Sequence, residues 1–360
     1  MALTPAQVIV LATPVFLLLI GIEYVVGLQR GRNTYRLNDA LNSIGLGVIS
    51  QLVHLFGALF TVWLYVQVFE HASLWRLSAE SPWVWLTGLV LYDLCYYWHH
   101  RLGHTVALFW AAHVVHHQSE DYNLSTALRQ TGSGWVGGWI FYLPMAVLGF
   151  PPLVFGVVAL VDLLYQYWVH TQHIGKLGWF DRWFCSPSNH RVHHAVNDKY
   201  LDKNYGGIFI VWDRLFGSFI EEDDKESIVY GTRGPLRSWN PVWANLQYYA
   251  ELLKDSWHAS RWADKLRVWF MHPGWRPADV AARFPKPAFD IHRVSRYDPP
   301  MTPGARWAAA GLFAALLGAT SLLLWNAHRL SLPQQLAAAL GIVAGLCAVG
   351  WVSERQRSAP

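Results

Sequence analysis

Two five-residue segments of this chain repeat one arrangement of imidazoles: HVVHH at residues 113–117 and HRVHH at 190–194. On an α-helix, positions i, i+3 and i+4 share a side. His113 with either or both of His116 and His117 is therefore expected to point toward one place, and so are His190, His193 and His194. Upstream, HRLGH sets His100 and His104 one helical turn apart. Of the 17 histidines, 11 lie from His99 to His194. Anchoring at a membrane interface explains any one such ring. It does not explain eight in three boxes, because desolvating so many titratable groups gains little unless something compensates. A metal ion does that. Imidazole suits zinc, copper, nickel and iron. Cys95, Cys185 and Cys347 form no C-x-x-C pair, which removes the thiolate zinc patterns and suits a reducing compartment. One ion takes roughly four to six protein ligands, so eight boxed histidines predict two ions. An all-imidazole pair with open positions fits oxygen activation by iron.

The elements that must carry these boxes are membrane helices. The chain is 53% hydrophobic and only 14% charged, with 21 tryptophans, which excludes an ordinary soluble enzyme. A helix needs about 20 apolar residues to cross a bilayer. Candidate spans are Gln7 to Leu28, a long stretch from Leu41 to Phe69, Pro82 to Trp98, Trp307 to Trp325 and Leu336 to Val352. The first has no basic n-region and is too long for a signal peptide, so it is expected to be retained. Trp135 to Val169 is nearly uncharged and broken by Pro144, Pro151 and Pro152, which predicts a hairpin or two re-entrant helices. If the spans alternate, Arg30, Arg32, Arg36, residues 99–134 and 171–304 and the tail ERQR share one side, leaving Arg76 and Arg329 on the other. The positive-inside rule makes the richer side cytosolic. This lopsidedness accounts for the net charge of +4 without a nucleic-acid partner. The expected fold is an all-α integral membrane protein, a multi-span bundle with a cytosolic histidine-rich cap holding a di-metal site. Three parts are expected: N-terminal spans (1–84), a metal-binding part (85–280), and a connector with the last spans (281–360). No internal structural repeat is visible. NYGGIFIVWDRLFGSF is expected against the membrane surface, and the amphipathic stretch from Trp243 to Phe270 in the interface plane.

The boxes HRLGH, HVVHH and HRVHH, in this order and with a hairpin between the second and third, resemble the fatty acid hydroxylase/sterol desaturase superfamily of membrane di-iron oxygenases. Within it, HHQSEDYNLSTALRQ, SPSNHRVHHAVNDKYLDKNYGGIFIVWDRLFGSF and MHPGWRP are most similar to the branch that cleaves alkylglycerol ethers. The likeness covers roughly residues 85 to 280. It implies that His100, His104, His113, His116, His117, His190, His193 and His194 are metal ligands, with His170 of YWVHTQH at a further ligand position. His99 and His173 match no family position, and Asn189 stands where some relatives carry another histidine. The resemblance also implies two iron ions, O₂, a membrane lipid substrate, and tetrahydrobiopterin as reductant if specificity follows the ether-cleaving branch. Hydroxylation or desaturation of an acyl chain, sterol or carotenoid, with a ferredoxin or cytochrome-type donor, is the alternative inside the superfamily.

Weaker signals complete the reading. GSGWVG (132–137) leads into a membrane segment instead of opening a βαβ unit, so close helix packing explains it better than nucleotide binding. Electrons are therefore expected from an external donor. In EDYNLSTALRQ, helix capping by Asp121 or Asn123 competes with a functional role beside the metals. On the functional reading, Glu120 and Asn123 act at the reaction, and Asp121 and Arg129 bind a pterin or lipid headgroup. Asp213 is expected to order a turn or to pair with Arg191 or Arg214. A membrane metal-binding or transport protein is the rival of another class. It would need acids along a pathway at bilayer depth, where the reading finds only Asp93 and Asp162.

Overall fold

The computed structural model describes residues 4–135 and 137–355, and among them it is all-helical, with two isolated β-bridges and no strand. Val136 of GSGWVG and residues 356 and 357 of the basic tail lie outside the described residues. Helix α1 (Pro5–Gln29) starts at a capping box in which Thr4 accepts from the Gln7 N–H and the Gln7 side chain returns to Thr4. There follow α2 (Leu37–Ala72), α3 (Pro82–Thr105), α4 (Ala107–His117) and the single turn α5 (Leu124–Ala127). The proline-broken region, where a hairpin or two re-entrant helices was expected, forms a 3₁₀ turn, α6 (Leu143–Val147) and α7 (Pro152–Trp168). The cap continues with α8 (Pro187–His193), α9 (Val211–Leu215), α10 (Pro241–His258), α11 (Trp262–Phe270) and α12 (Ala278–Arg283). The closing pair is α13 (Pro303–Asn326) and α14 (Leu332–Glu354).

Helices α1, α2, α13 and α14 are long and apolar enough to cross a membrane. Helix α3 is long enough but falls short in hydropathy, contrary to the expectation for Pro82 to Trp98. Asp93 sits within it, and its last turns carry His99, His100, Arg101 and His104. The amphipathic stretch from Trp243 to Phe270 is divided between α10 and α11. It breaks at Ala259–Arg261, where Lys265 Nζ caps the end of α10 by donating to the Ser256 and Trp257 carbonyls.

At 1.5 Å per residue, the 36 residues of α2 run about 54 Å, well beyond a hydrocarbon core of about 30 Å. This length lets it join both halves of the protein. Its Leu41, Val48, Ile49 and Leu52 pack on Ala309 and Phe313 of α13 and Ile342, Leu346 and Val349 of α14. Farther along, Tyr65 and Phe69 pack with Val84, Tyr92 and Cys95 of α3 and Met145, Phe150 and Val154 of the hairpin. Within lipid these contacts act through close packing more than through exclusion of water. The N-terminal turns of α2 carry buried Asn38, Asp39, Asn42 and Ser43, which face the cap.

One contact between α2 and the cap leaves no room for a side chain. A Cβ on Gly47 would lie 2.4 Å from the Leu128 carbonyl oxygen, a backbone atom that cannot rotate aside. Gly47→Ala is expected to destabilise the protein by about 1–3 kcal/mol through overpacking, outweighing the ~1 kcal/mol gain in helix propensity. Thermal unfolding in detergent measures it, and an unchanged or raised midpoint would refute the close approach.

Candidate metal centre

The chain turns sharply once between the first two boxes. Val106 adopts an extended conformation (φ −120°, ψ 120°) between α3 and α4, folding α4 back so that His113 lies against Gly103 and the rings of His100 and His104. Ser186 caps α8 by accepting the Asn189 N–H, and Pro187 occupies the first turn, which starts the third box beside the second. His170 follows the end of α7.

These elements bring all nine histidines singled out in the sequence into two adjoining groups. His100, His104, His113, His117 and His193 form group A; His116, His170, His190 and His194 form group B. Within each group, one nitrogen per ring lies within 4.8 Å of all the others, and each group could hold one metal ion. Both boxes are divided between the groups: His113 with His117 is one of the pairings expected of the second box, whereas the third box was expected to converge whole and does not. The i, i+4 pair His113/His117 serves A while His116 serves B; His190/His194 serves B while His193 serves A. His99 stacks on Phe141 and His173 lies beside Gly27, so neither joins a group.

The hydrogen bonds fix which nitrogen faces inward. Nδ1 of His100 donates to the Tyr205 carbonyl (2.8 Å), of His116 to Arg129 (2.8 Å), of His170 to Gln166 (2.7 Å) and of His193 to Lys203 (3.1 Å). A carbonyl only accepts, so each ring carries its proton on Nδ1 when neutral and turns a bare Nε2 lone pair toward the group. His116 Nε2 and His170 Nε2 then face each other at 3.1 Å with no proton between them. That arrangement repels unless a cation sits where both can reach it. Ligands held about 2.0–2.1 Å from an ion at right angles are roughly 3.0 Å apart. The observed Nε2 separations match: 3.0 Å for His100–His113 and 3.1 Å for His117–His113 and His190–His170. The Nε2 atoms of His104, His193 and His194 are buried without a hydrogen-bond partner. Burial, and then repulsion among the rings, holds His113, His117, His190, His193 and His194 well below the ordinary histidine range. Burial lowers His116 to about 4. The rings are thus neutral, the form that ligates, and the donor set fits a pair of borderline divalent ions such as iron or zinc.

The fatty acid hydroxylase family model matches residues 85–218, which contain all nine histidines. Alkylglycerol monooxygenase of Xenopus tropicalis is 34% identical over 349 residues, 97% of this chain and 78% of that protein. The chain belongs to the fatty acid hydroxylase family. Alkylglycerol monooxygenases of Homo sapiens and Danio rerio are 41% and 40% identical over 74% of the chain. In both, the matched region is 59% of the relative's length, so the chain spans under two thirds of each. No solved structure shows a significant match.

In this family member the polar run after the second box joins the cap to the membrane helices. Asn123 caps α5, its Oδ1 accepting from the Ser125 N–H while its Nδ2 donates to the Thr34 carbonyl. Asp121 accepts from Arg36 Nε at 2.9 Å, and Glu120 accepts from the Tyr297 N–H at 2.6 Å. Arg129 is fully buried and donates to the Val115 carbonyl, Asn42, Ser43 and Gln118. Asp213 orders a turn, accepting from the Tyr205 and Gly206 N–H groups and the Ser218 hydroxyl, while Arg191 pairs with Glu222. Asn189 holds the Asp181 and Phe184 carbonyls. The NYGGIFIVW segment does not simply lie on the membrane surface. Tyr205, Gly206, Ile208 and Ile210 are buried, Tyr205 lies against His100, His104 and His193, and Asp93 accepts the Ile208 and Phe209 N–H groups so closely beside Gly207 that a Cβ there would come within 2.8 Å of it.

Sequence reasoning missed Glu23. It is a third acid within the apolar spans, besides Asp93 and Asp162, and it is buried. It accepts from the Leu124 N–H at 2.8 Å and the Thr171 hydroxyl at 2.5 Å, so α1 is tied to α5 and to the residue after His170. Its signal was available: a lone carboxylate in an otherwise apolar span needs a partner.

Proposed function

We propose that the chain is a membrane-bound non-haem di-iron oxidoreductase that hydroxylates a C–H bond of a lipid, and that its substrate class is the alkylglycerols. One observation carries the metal reading: His116 and His170 turn two lone pairs toward each other at 3.1 Å, each fixed by a carbonyl behind it. Group A would hold one iron and group B the other. When bound, such a pair activates O₂ for insertion into an unactivated C–H bond. The chain's own residues keep the imidazoles neutral, hold each ring by its outer nitrogen and enclose the centre on the side away from lipid. The alkylglycerol monooxygenase likeness supports attack at the carbon beside the ether oxygen. The hydroxylated carbon is then a hemiacetal, which separates into a fatty aldehyde and a glycerol. Tetrahydrobiopterin is the proposed reductant, delivered from outside the chain.

Glu120 and Asn123, expected to act at the reaction, and Asp121 and Arg129, expected to bind a pterin or headgroup, enter this proposal as positioning residues instead. Their side chains bond to protein groups, and the Arg129 carbonyl holds His116. The proposed orientation puts the cap in the cytosol, supported by Arg30, Arg32 and Arg36 on the side of the boxes against Arg76 and Arg329 opposite. The division into residues 1–84, 85–280 and 281–360 is kept, with α2 as the element shared by the outer spans and the metal-binding part.

Membranes from an expressing strain, given O₂, tetrahydrobiopterin and a 1-O-alkylglycerol, are expected to release fatty aldehyde detected by mass spectrometry, and to release none anaerobically. Glu120→Ala or Asn123→Ala is expected to lower this release more than metal content. Hydroxylated or desaturated acyl or sterol products in place of aldehyde would overturn the ether-cleaving reading and leave a lipid hydroxylase of another specificity. Oxygen-independent turnover would overturn the oxygenase reading.

A further inference from the structure

The five histidines of group A come from three separate segments, yet one loop of four residues, Asp202 to Tyr205, stands behind three of them. The Lys203 carbonyl accepts from His193 Nδ1 at 3.1 Å and the Tyr205 carbonyl from His100 Nδ1 at 2.8 Å. Between them in sequence, Asn204 points away and pins the loop. At the loop's start, the Asp202 carboxylate faces His104 Nδ1 at 3.7 Å. First and third boxes are thus oriented by consecutive groups of one short segment.

The loop has an uncommon shape that its surroundings enforce. Asp202 and Asn204 are in the left-handed region, with φ of 57° and 58°, which residues other than glycine seldom adopt. Asn204 is fully buried; its Nδ2 donates to the Asn189 and Ile220 carbonyls and its Oδ1 accepts the Ile220 N–H. Its own N–H donates to the Ser218 carbonyl. Asp213 takes the next two N–H groups, Tyr205 at 2.8 Å and Gly206 at 2.7 Å. The second oxygen of Asp202 accepts from His272 Nε2 at 3.0 Å, so MHPGWRP reaches the loop from the other side of the cap. Group B is supported elsewhere: His116 rests on the Arg129 carbonyl after α5, and His170 on Gln166 in α7.

We propose that the loop Asp202–Tyr205 is the positioning element of group A, with Asp213 and His272 as its braces, and that the two groups take up metal independently. The proposal rests on the two-metal reading above. A ring held by its outer nitrogen presents Nε2 in a fixed direction, and loss of such a partner costs roughly 10–100-fold in metal affinity. Loosening this loop at Asp202 or Asp213 weakens group A, because among the described residues the rings that donate to its carbonyls, His100 and His193, belong to group A.

The test is titration of the purified full-length chain in detergent with Zn²⁺ as the only metal, counting bound ions by elemental analysis. The unaltered chain is expected to hold two ions. Asp213→Ala and Asp202→Asn are expected to weaken one of them roughly 10–100-fold and leave the other unchanged, and His116→Ala to weaken the complementary one. Asp213→Ala and His116→Ala combined would then weaken both. Equal weakening of both ions in the loop variants, or no weakening in either, would overturn the proposal while leaving the two-metal reading in place. Should Asp213→Ala fail to fold, as judged by helical circular dichroism, Asp202→Asn decides alone. Fewer than two ions on the unaltered chain would overturn the two-metal reading and this proposal together.

Discussion

His193→Ala is expected to abolish turnover while the protein remains in the membrane with its helical content intact. His193 is the ring of the third box that enters group A, in contact with His100, His104 and His117 at centroid distances of 4.3, 4.7 and 4.8 Å. Its Nε2 is buried without a partner and its Nδ1 is held by the Lys203 carbonyl, so the ring is oriented toward the group and serves nothing else. Alanine there removes a ligand that no neighbour can replace. Among the described residues, the first and third boxes share a metal-binding group in group A alone. His258→Ala and His328→Ala, outside both groups, are expected to retain activity. Product mass spectrometry with membrane fractionation checks both sets, and equal losses in the two would mean folding damage and sink the ligand assignment. His272, although outside both groups, does not serve as such a control, because it bonds to Asp202 behind His104.

Arg129→Ala is expected to be the most destabilising single change outside the histidines, costing about 3 kcal/mol or more, since it leaves several buried acceptors unpaired. The guanidinium is fully buried and donates at 2.7 Å to the Val115 carbonyl in α4 and at 2.8 Å to Asn42 in α2. It also reaches Gln118 at 3.3 Å. Removing it strands several buried acceptors at once, each worth about 1–3 kcal/mol when left unpaired, and opens a void where α2, α4 and α5 meet. Lysine is expected to fail almost as badly, because a single ammonium cannot cover a fork of acceptors in fixed directions. Thermal unfolding followed by circular dichroism measures the loss. Since the Arg129 carbonyl holds His116, metal should stabilise the variant less than the unaltered chain. A midpoint equal to that of the unaltered chain would show that the buried fork is dispensable.

The histidine boxes could be read from the sequence because helical spacing is local, and the spans because a long apolar run has few other uses. The break into two short helices was equally legible from Pro144, Pro151 and Pro152, since proline fits the first turn of a helix, where Pro144 and Pro152 stand in α6 and α7, and disfavours helix in the residue before it. The run EDYNLSTALRQ was ambiguous for the opposite reason. The same polar side chains can cap a turn, brace a neighbouring helix or meet a ligand, and the choice depends on partners remote in sequence. Asn123 meets Thr34, Asp121 meets Arg36, and Arg129 meets Asn42. Asp202 and His272, 70 residues apart, carry no sequence signal of their pairing at all.

By itself the sequence determined that eight boxed imidazoles would gather at one end of a membrane bundle and that one ion could not use them all. Only the tertiary structure decided how they divide. On a helix of 3.6 residues per turn, His116 lies about 60° to one side of His113 and His117 about 40° to the other. Either could share a metal with His113. The choice of His117 was made by what stands opposite: α8 offers His193 on one side and His190 and His194 on the other, and His170 after α7 completes the second group. Spacing within a helix fixes the angles between side chains. Which angle faces a partner depends on the packing of other helices.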